Sequence, residues 1–216
     1  MNLPNKLTIC RMFLVLIIMI IPIIDGLVGI SGEFLGISTS FWIMNIIFII
    51  ASITDKLDGT IARKNNQVTT FGKFLDPIAD KILILASLII LVEYRKIPSW
   101  IPIIILIREF MISGYRLIAV EKGGKVIAAS IWGKLKTVTQ ITAIICCFLD
   151  KFSFGQFIFR VASEEQMLVN SAGIYMNSLQ FCINILSTIF MILAVIATIF
   201  SGIDYLKDGK EVLSEK

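Results

Sequence analysis

The stretch that decides the fold is DKLDGTIARKNNQVTTFGKFLDPIAD, residues 55–80. It holds Asp55, Asp58, Asp76 and Asp80, together with two glycines and an arginine at helical spacings. Asp55 and Asp58 are three residues apart, and Asp76 and Asp80 are four apart, so each pair shares one face of a helix. A short loop joins the two helices as antiparallel neighbours. The four carboxylates are therefore predicted to converge.

This charged stretch belongs to a chain of 216 residues that is 56% hydrophobic and only 17% charged, with a mean hydropathy of +0.87. Soluble domains are about 45–50% apolar and about 25% charged, so the composition indicates an integral membrane protein. Crossing a bilayer takes about 20 apolar residues. We predict spans at Leu7–Ile24, Phe41–Ala62, Gly72–Val92, Pro98–Val120, Ile127–Leu149 and Leu179–Ile203. The first is predicted to be the weakest, because its uninterrupted apolar run is short.

The basic residues set the orientation of these spans. With the N-terminus inside, eleven fall in inner segments and only Arg95, Lys96, Lys151 and Arg160 fall outside. The inner ones are Lys6, Arg11, Lys56, Arg63, Lys64, Lys73, Lys122, Lys125, Lys207, Lys210 and Lys216. By the positive-inside rule both termini are cytoplasmic.

Charged groups recur at alternating ends of spans two to five, so alternating helix directions bring them to one side. We therefore expect an all-α bundle of six transmembrane helices with a polar cavity in its cytoplasmic half. We expect the whole chain, 1–216, to form one domain of a multi-pass protein in the cytoplasmic membrane. Its parts include an N-terminal interfacial segment at 1–7, an external loop near 151–175 and a cytoplasmic tail near 205–216.

Composition excludes several kinds of chemistry. Histidine is absent, which removes the commonest general base and His-ligated metals. The four cysteines lie in apolar runs without a CxxC pair, so neither a disulfide framework nor a zinc site is predicted. No basic stripe is interleaved with aromatic residues, so nucleic acid is not an expected partner.

Four converging carboxylates need compensation. Without cations they would repel, and some would be protonated. All-oxygen ligation suits Mg²⁺ or Mn²⁺, and paired divalent ions are common in displacement at phosphorus. The alternative is a set of intramembrane ion pairs among Asp55, Asp58, Lys56, Lys81 and Arg63.

The pattern Asp55-x2-Asp58-Gly59-x2-Ala62-Arg63-x8-Gly72-x3-Asp76-x3-Asp80 resembles the signature of the CDP-alcohol phosphatidyltransferase family. The resemblance implies a six-helix homodimer that transfers a phosphatidyl group from CDP-diacylglycerol to an alcohol, releasing CMP. It also implies that Asp55, Asp58 and Asp76 ligate two divalent cations, while Asp80 completes the site and acts as general base. The nucleotide-binding residues that it implies are Asn5, Thr8, Asp58, Gly59, Ala62, Arg63 and Gly72.

The acceptor alcohol is predicted from the remaining cations. Arg108, Arg116, Lys134 and Lys136 outnumber the nearby carboxylates, since Glu109 can neutralise only one of them. Uncompensated cations favour an acceptor that carries a phosphate, although lysines and arginines can also snorkel to lipid headgroups. The surrounding motifs are similar to the branch of the family that uses sn-glycerol 3-phosphate. They are Asn5-x2-Thr8-x2-Arg11, Arg108-Glu109-x3-Ser113-x2-Arg116 and Trp132-Gly133-Lys134-x-Lys136-Thr137-x2-Gln140.

Other functions remain open at this stage. Inositol phosphate, serine or phosphatidylglycerol could be the acceptor in the same family. A divalent-cation transporter would also carry intramembrane carboxylates, but it predicts acids through the whole membrane depth, whereas here they cluster on one side. An assembly subunit with a decayed site is disfavoured by the complete signature.

Overall fold

A computed structural model of the chain describes the backbone of residues 3–30, 32–64, 70–121, 131–156 and 178–208. Within these ranges, the side chains at 3–6, 56–64, 70–77, 116–117, 119–121, 178 and 208 lie outside the description. The described residues form a helical bundle, which confirms the all-α class. Its helices are α1 (Leu3–Val28), α2 (Thr39–Lys64), α3 (Thr70–Glu93), α4 (Trp100–Glu121), α5 (Ile131–Leu149) and α6 (Ser178–Asp208).

The helices coincide closely with the predicted apolar spans. Most are longer by one to five residues at an end, because their polar end residues continue the helical hydrogen bonding beyond the apolar run. Of the predicted fifth span, residues 127–130 lie outside the described residues. Helix α1 already includes most of the segment predicted as interfacial, and α6 runs to Asp208, inside the predicted tail. Of the predicted external loop, residues 157–175 are likewise outside the described part.

The α1–α2 connection contains a hairpin that the sequence did not predict. Strand β1 (Glu33–Phe34) pairs with β2 (Ile37–Ser38) in antiparallel register. Leu35 and Gly36 at its turn have φ of 55° and 74°. Positive φ at both central residues matches the type I′ turn that suits two-residue hairpins. Leu35 thus adopts a backbone conformation that L residues with side chains seldom take.

The interior of the bundle holds polar residues, whereas much of its outside is apolar. Arg11, Ser187 and Thr198 are buried, while Phe13, Ile103 and Val138 are exposed. A water-soluble domain seldom exposes such large apolar surfaces, and in a bilayer polar groups face the bundle interior. Aromatic and aliphatic side chains fill the core, among them Ile18, Phe48, Leu88, Phe148 and Met191. This distribution is that of a membrane protein.

Two helices in the described part are long and apolar enough to cross a membrane, Leu7–Val28 and Leu179–Lys207. A third apolar segment, Thr39–Asp55, is shorter. The prediction that the first span is the weakest was therefore wrong. Helix α1 continues through Asp25 to Val28, because Asp25 accepts hydrogen bonds from Ile30 N (3.1 Å), Ser40 Oγ (3.0 Å) and the Tyr94 hydroxyl (3.1 Å).

The end of the bundle beside the hairpin, called here the hairpin end, is closed by a polar network. Asp150 follows α5 and is 2% exposed. Its carboxylate accepts bonds from Phe152 N (2.8 Å), Asn184 Nδ2 (2.8 Å) and Ser187 Oγ (2.6 Å). Lys96 donates to the Asp150 carbonyl. The network therefore ties the α3–α4 connection to α5 and α6.

Candidate active site

A cavity of about 310 Å³ opens between α3, α4 and α5 at the end of the bundle opposite the hairpin, called here the site end. One part of its wall is polar, and the other is apolar. The polar lining residues are Asp80, Lys81, Glu109, Ser113, Lys136, Thr137 and Gln140. The apolar ones include Ile84, Leu85, Leu88, Ile105, Leu106 and Phe110. Such a cavity suits a ligand with a charged part and a hydrocarbon part.

Asp80, the predicted general base, lies at the polar part of the wall, half-buried on α3. Its carboxylate makes no hydrogen bond or ion pair with the residues whose side chains are described. It interacts electrostatically with Arg11 and Asp55 on one side and with Lys136 and Glu109 on the other. Asp80 therefore connects the aspartate signature with the predicted acceptor cations.

Asp55 and Arg11 form an ion pair between α2 and α1. Arg11 Nη1 lies 2.5 Å from Asp55 Oδ1, and the Arg11 side chain is 0% exposed. Thr8, one turn before Arg11 on α1, is also buried. The N-terminal helix thus contributes directly to the neighbourhood of the signature.

The predicted acceptor cations Arg108 and Lys136 meet at Glu109. Arg108 Nη1 lies 2.9 Å from Glu109 Oε1, and Lys136 Nζ donates to the same oxygen. Arg108 also donates through Nη2 to Ser201 Oγ. Two cations from α4 and α5 therefore share one carboxylate oxygen, which leaves positive charge for an anionic ligand.

Lys134 does not join this group. It is exposed on α5 and does not line the cavity, whereas Lys136 is buried. Residues two apart on a helix do not face each other, so the two lysines point to different sides. The Arg116 side chain lies outside the described residues.

Sequence reasoning did not assign Lys81 and Ser113 to the site. Lys81 Nζ donates to Ser113 Oγ across α3 and α4, and Ser113 Oγ in turn donates to the Glu109 carbonyl (2.7 Å). Ser113 was visible only as part of a motif. Lys81 was considered as an ion-pair partner for the aspartates, but its hydrogen bond is made to a hydroxyl. In the sequence, only the position of Lys81 immediately after Asp80 links it to the site.

The other predicted metal-binding and nucleotide-binding residues lie outside the part of the chain whose side chains are described. They are Asn5, Asp58, Gly59, Ala62, Arg63, Gly72 and Asp76. Among the described side chains, no group of three or more acidic, cysteine or histidine residues could hold a metal ion. The described donors nevertheless fit a hard cation, because Asp55 and Asp80 offer carboxylate oxygens and Asp80 has no bonded partner among the described residues.

Comparison with known proteins supports the same family. Residues 1–200 match the CDP-alcohol phosphatidyltransferase family. A CDP-diacylglycerol–glycerol-3-phosphate 3-phosphatidyltransferase of Bacillus subtilis is 46% identical over 71% of this chain and 79% of its own length. The Haemophilus influenzae protein of that name is 42% identical over 66% of this chain and 73% of its own length.

A more distant relative covers more of the chain. A probable phosphatidylglycerophosphate synthase of Mycobacterium tuberculosis is 31% identical over 94% of this chain and 79% of its own length. The signature from Asp55 to Asp80, the helical bundle around it and these similarities lead to one assignment: the chain belongs to the CDP-alcohol phosphatidyltransferase family.

Proposed function

We propose that this protein transfers the phosphatidyl group of CDP-diacylglycerol to sn-glycerol 3-phosphate, giving phosphatidylglycerophosphate and CMP in phospholipid synthesis. The observation that carries the proposal is the position of Asp80 in one cavity with Lys136 and Glu109, and the Glu109 carboxylate also pairs with Arg108. A carboxylate base beside an anion-binding pair is what an alcohol carrying a phosphate requires. The names of the similar proteins support the same acceptor.

In the proposed reaction, Arg108 and Lys136 bind the acceptor phosphate. An acceptor hydroxyl then lies near Asp80, which takes its proton as general base. The acceptor oxygen forms a bond to the β-phosphorus of CDP-diacylglycerol, and the bond from that phosphorus to the CMP oxygen breaks. Positioning both substrates in one cavity converts an encounter of two molecules into a local reaction.

Asp55, Asp58, Asp76 and Asp80 are proposed to hold two divalent cations, Mg²⁺ or Mn²⁺. When bound, such ions neutralise charge on the phosphoryl oxygens and on the departing CMP. Asn5, Thr8, Asp58, Gly59, Ala62, Arg63 and Gly72 are proposed to bind the nucleotide. The buried Arg11 keeps Asp55 oriented from the neighbouring helix.

The apolar part of the cavity is proposed to receive an acyl chain of the lipid substrate. Leu85 and Leu106 are half-buried there, on facing helices. Because this surface continues from the polar wall, a lipid could place its diphosphate near Asp80 while its hydrocarbon stays out of water.

The membrane arrangement is part of the proposal. We infer six spanning helices in one domain, with both termini and the active site facing the cytoplasm in the cell membrane, and assembly as a homodimer. The apolar exterior of the described helices supports the membrane setting. Cysteine labelling of the termini in sealed cells tests the orientation, and cross-linking in detergent tests the dimer.

The decisive experiment measures CMP release by the purified protein with CDP-diacylglycerol and Mg²⁺ or Mn²⁺. The acceptor panel contains sn-glycerol 3-phosphate, inositol 1-phosphate, serine and phosphatidylglycerol, and the Asp80→Asn variant gives the background. Release with glycerol 3-phosphate alone is expected. Release with a different acceptor alone would reject the acceptor assignment, and absence of release with any acceptor would reject the transferase.

A further inference from the structure

A buried amide nitrogen in the cavity wall has no hydrogen-bond partner among the described residues. Gln140 lies on α5 and is 2% exposed, yet it lines the cavity. Its Nε2 is buried and makes no hydrogen bond within the described part of the chain. Burying an amide donor without a partner is destabilising, and such groups in native structures call for a specific explanation.

Neighbouring polar side chains on α5 find hydrogen-bond partners within the helix, unlike the amide nitrogen of Gln140. Thr137 donates to the Gly133 carbonyl (3.2 Å), and Thr139 donates to the Leu135 carbonyl (2.9 Å). Their hydroxyls are therefore satisfied within α5. Of the buried side-chain atoms without a partner among the described residues, the amide nitrogen of Gln140 alone belongs to a residue of the cavity wall. Its missing partner is therefore to be sought in the cavity.

The position of Gln140 relative to Lys136 indicates the chemistry of that partner. The two residues are four apart, so they share one face of α5, with their Cβ atoms about 5–6 Å apart. Lys136 and Arg108 already provide the positive charge for a phosphate. An uncharged amide beside them, able both to donate and to accept, matches a hydroxyl group.

We propose that Gln140 is a specificity-determining residue that hydrogen-bonds the non-reacting hydroxyl of the acceptor. This inference rests on the proposed function. Glycerol 3-phosphate carries two hydroxyls, of which one loses its proton to Asp80 and the other, on the middle carbon, stays intact. That second hydroxyl leaves water when the acceptor enters the cavity, and the amide of Gln140 replaces its lost hydrogen bonds.

The test compares two acceptors that differ only in this hydroxyl, sn-glycerol 3-phosphate and 3-hydroxypropyl phosphate. In the unmodified protein, kcat/KM for CMP release is expected to be about tenfold higher with glycerol 3-phosphate, the value of one net hydrogen bond. Gln140→Met removes the amide at similar volume. It is expected to lower kcat/KM about tenfold for glycerol 3-phosphate and less than about twofold for the analogue.

Thr139→Val is the matched control, since Thr139 is buried on the same helix but does not line the cavity. It should leave the ratio between the two acceptors unchanged. Gln140→Asn shortens the amide by one methylene, and an intermediate ratio is expected. Thermal melting of each variant in detergent shows that the comparison is made on folded protein, and Gln140→Asn serves if Gln140→Met does not fold.

The outcomes separate the two proposals. If Gln140→Met lowers kcat/KM equally for both acceptors, or if the unmodified protein does not distinguish them, the role of Gln140 is rejected while the transferase stands. If the unmodified protein releases CMP with neither acceptor, the proposed function fails, and the role of Gln140 fails with it.

Discussion

The two ends of the bundle use similar polar residues in opposite ways. At the hairpin end, the carboxylates of Asp25 and Asp150 each accept three hydrogen bonds from within the protein. At the site end, Asp80 has no bonded partner among the described residues, and the Gln140 amide has none either. The two carboxylates of the first end are satisfied without a ligand, whereas the Asp80 carboxylate and the Gln140 amide nitrogen at the second end have binding capacity left over among the described residues.

The electrostatics of the hairpin end agree with a structural role. Burial raises the pKa of Asp150, although hydrogen bonds from Ser187, Phe152 and Asn184 oppose the shift. Burial likewise lowers the pKa of Lys96, and the nearby Asp150 charge acts against this. Ionised groups are thus held there at a cost that their neighbours offset. The difference teaches that the aspartate with incomplete bonding among the described residues is the one in the cavity wall, Asp80, whereas Asp25 and Asp150 are bonded within the fold.

The largest effect is expected at Asp80. Asp80→Asn removes the base without changing the size of the side chain, so kcat should fall about 10²–10⁴-fold, the usual contribution of a general base. Metal and nucleotide binding should weaken but persist, because the proposed ligands Asp55, Asp58 and Asp76 remain, and it is measured as thermal stabilisation of the variant by Mg²⁺ and CDP-diacylglycerol. A nearly normal kcat in this variant would remove Asp80 as the base and break the contrast between the two ends.

The next effect concerns the acceptor phosphate. Arg108→Ala should raise the KM for glycerol 3-phosphate about tenfold or more, because a charge-assisted hydrogen bond contributes about 1.5–3 kcal/mol. The KM for CDP-diacylglycerol should change much less. Lys134→Ala is the control, since Lys134 is an exposed cation on α5 outside the cavity wall. Equal changes in KM for both substrates would place Arg108 elsewhere.

At the hairpin end, a substitution is expected to lower stability and to leave activity unchanged. Asp150→Ala should destabilise the fold by about 1–3 kcal/mol, because donors such as Phe152 N and Ser187 Oγ lose their acceptor. Its kcat/KM, measured well below the melting temperature, should match that of the unmodified protein. Thermal melting in detergent and CMP release test both statements. A loss of activity without a loss of stability would mean that the hairpin end is not merely structural.

A smaller effect is expected from narrowing the apolar part of the cavity. Leu85→Trp narrows the apolar part, so the KM for long-chain CDP-diacylglycerol should rise about fivefold, given that overpacking costs about 1–3 kcal/mol. The KM for a short-chain CDP-diacylglycerol should stay unchanged in this variant. Ile89→Trp is matched to it, on the same helix but exposed and outside the cavity wall. If both variants act alike at both chain lengths, the acyl chain binds in another place.

The helices were predictable from sequence because long apolar runs and charged breaks determine where they begin and end. The error about α1 arose because Asp25 looked like the end of a span. Its partners Ser40 and Tyr94 are distant in sequence, so only the folded chain shows them. The hairpin was missed for a related reason, since Leu35 gives no signal for positive φ.

The site was predictable to the level of its motifs but not of its contacts. Helical periodicity alone could have separated Lys134 from Lys136, because residues two apart face different directions. The sharing of Glu109 by Arg108 and Lys136 depends on how α4 packs against α5. The unsatisfied amide of Gln140 is a property of three helices together, so no local pattern reveals it.

The smallest expected effect is a pH dependence at the hairpin end. Burial, together with the hydrogen bond to Asp25, raises the pKa of Tyr94 from 10.0 to about 12. A raised pKa means that the neutral hydroxyl stabilises the fold fully below about pH 10, and that this contribution disappears as the pH rises towards 12. Tyr94→Phe lacks the titrating group. The melting temperature of the unmodified protein should therefore fall more steeply than that of Tyr94→Phe between pH 10 and 12, and parallel curves would mean that folding does not raise the pKa of Tyr94.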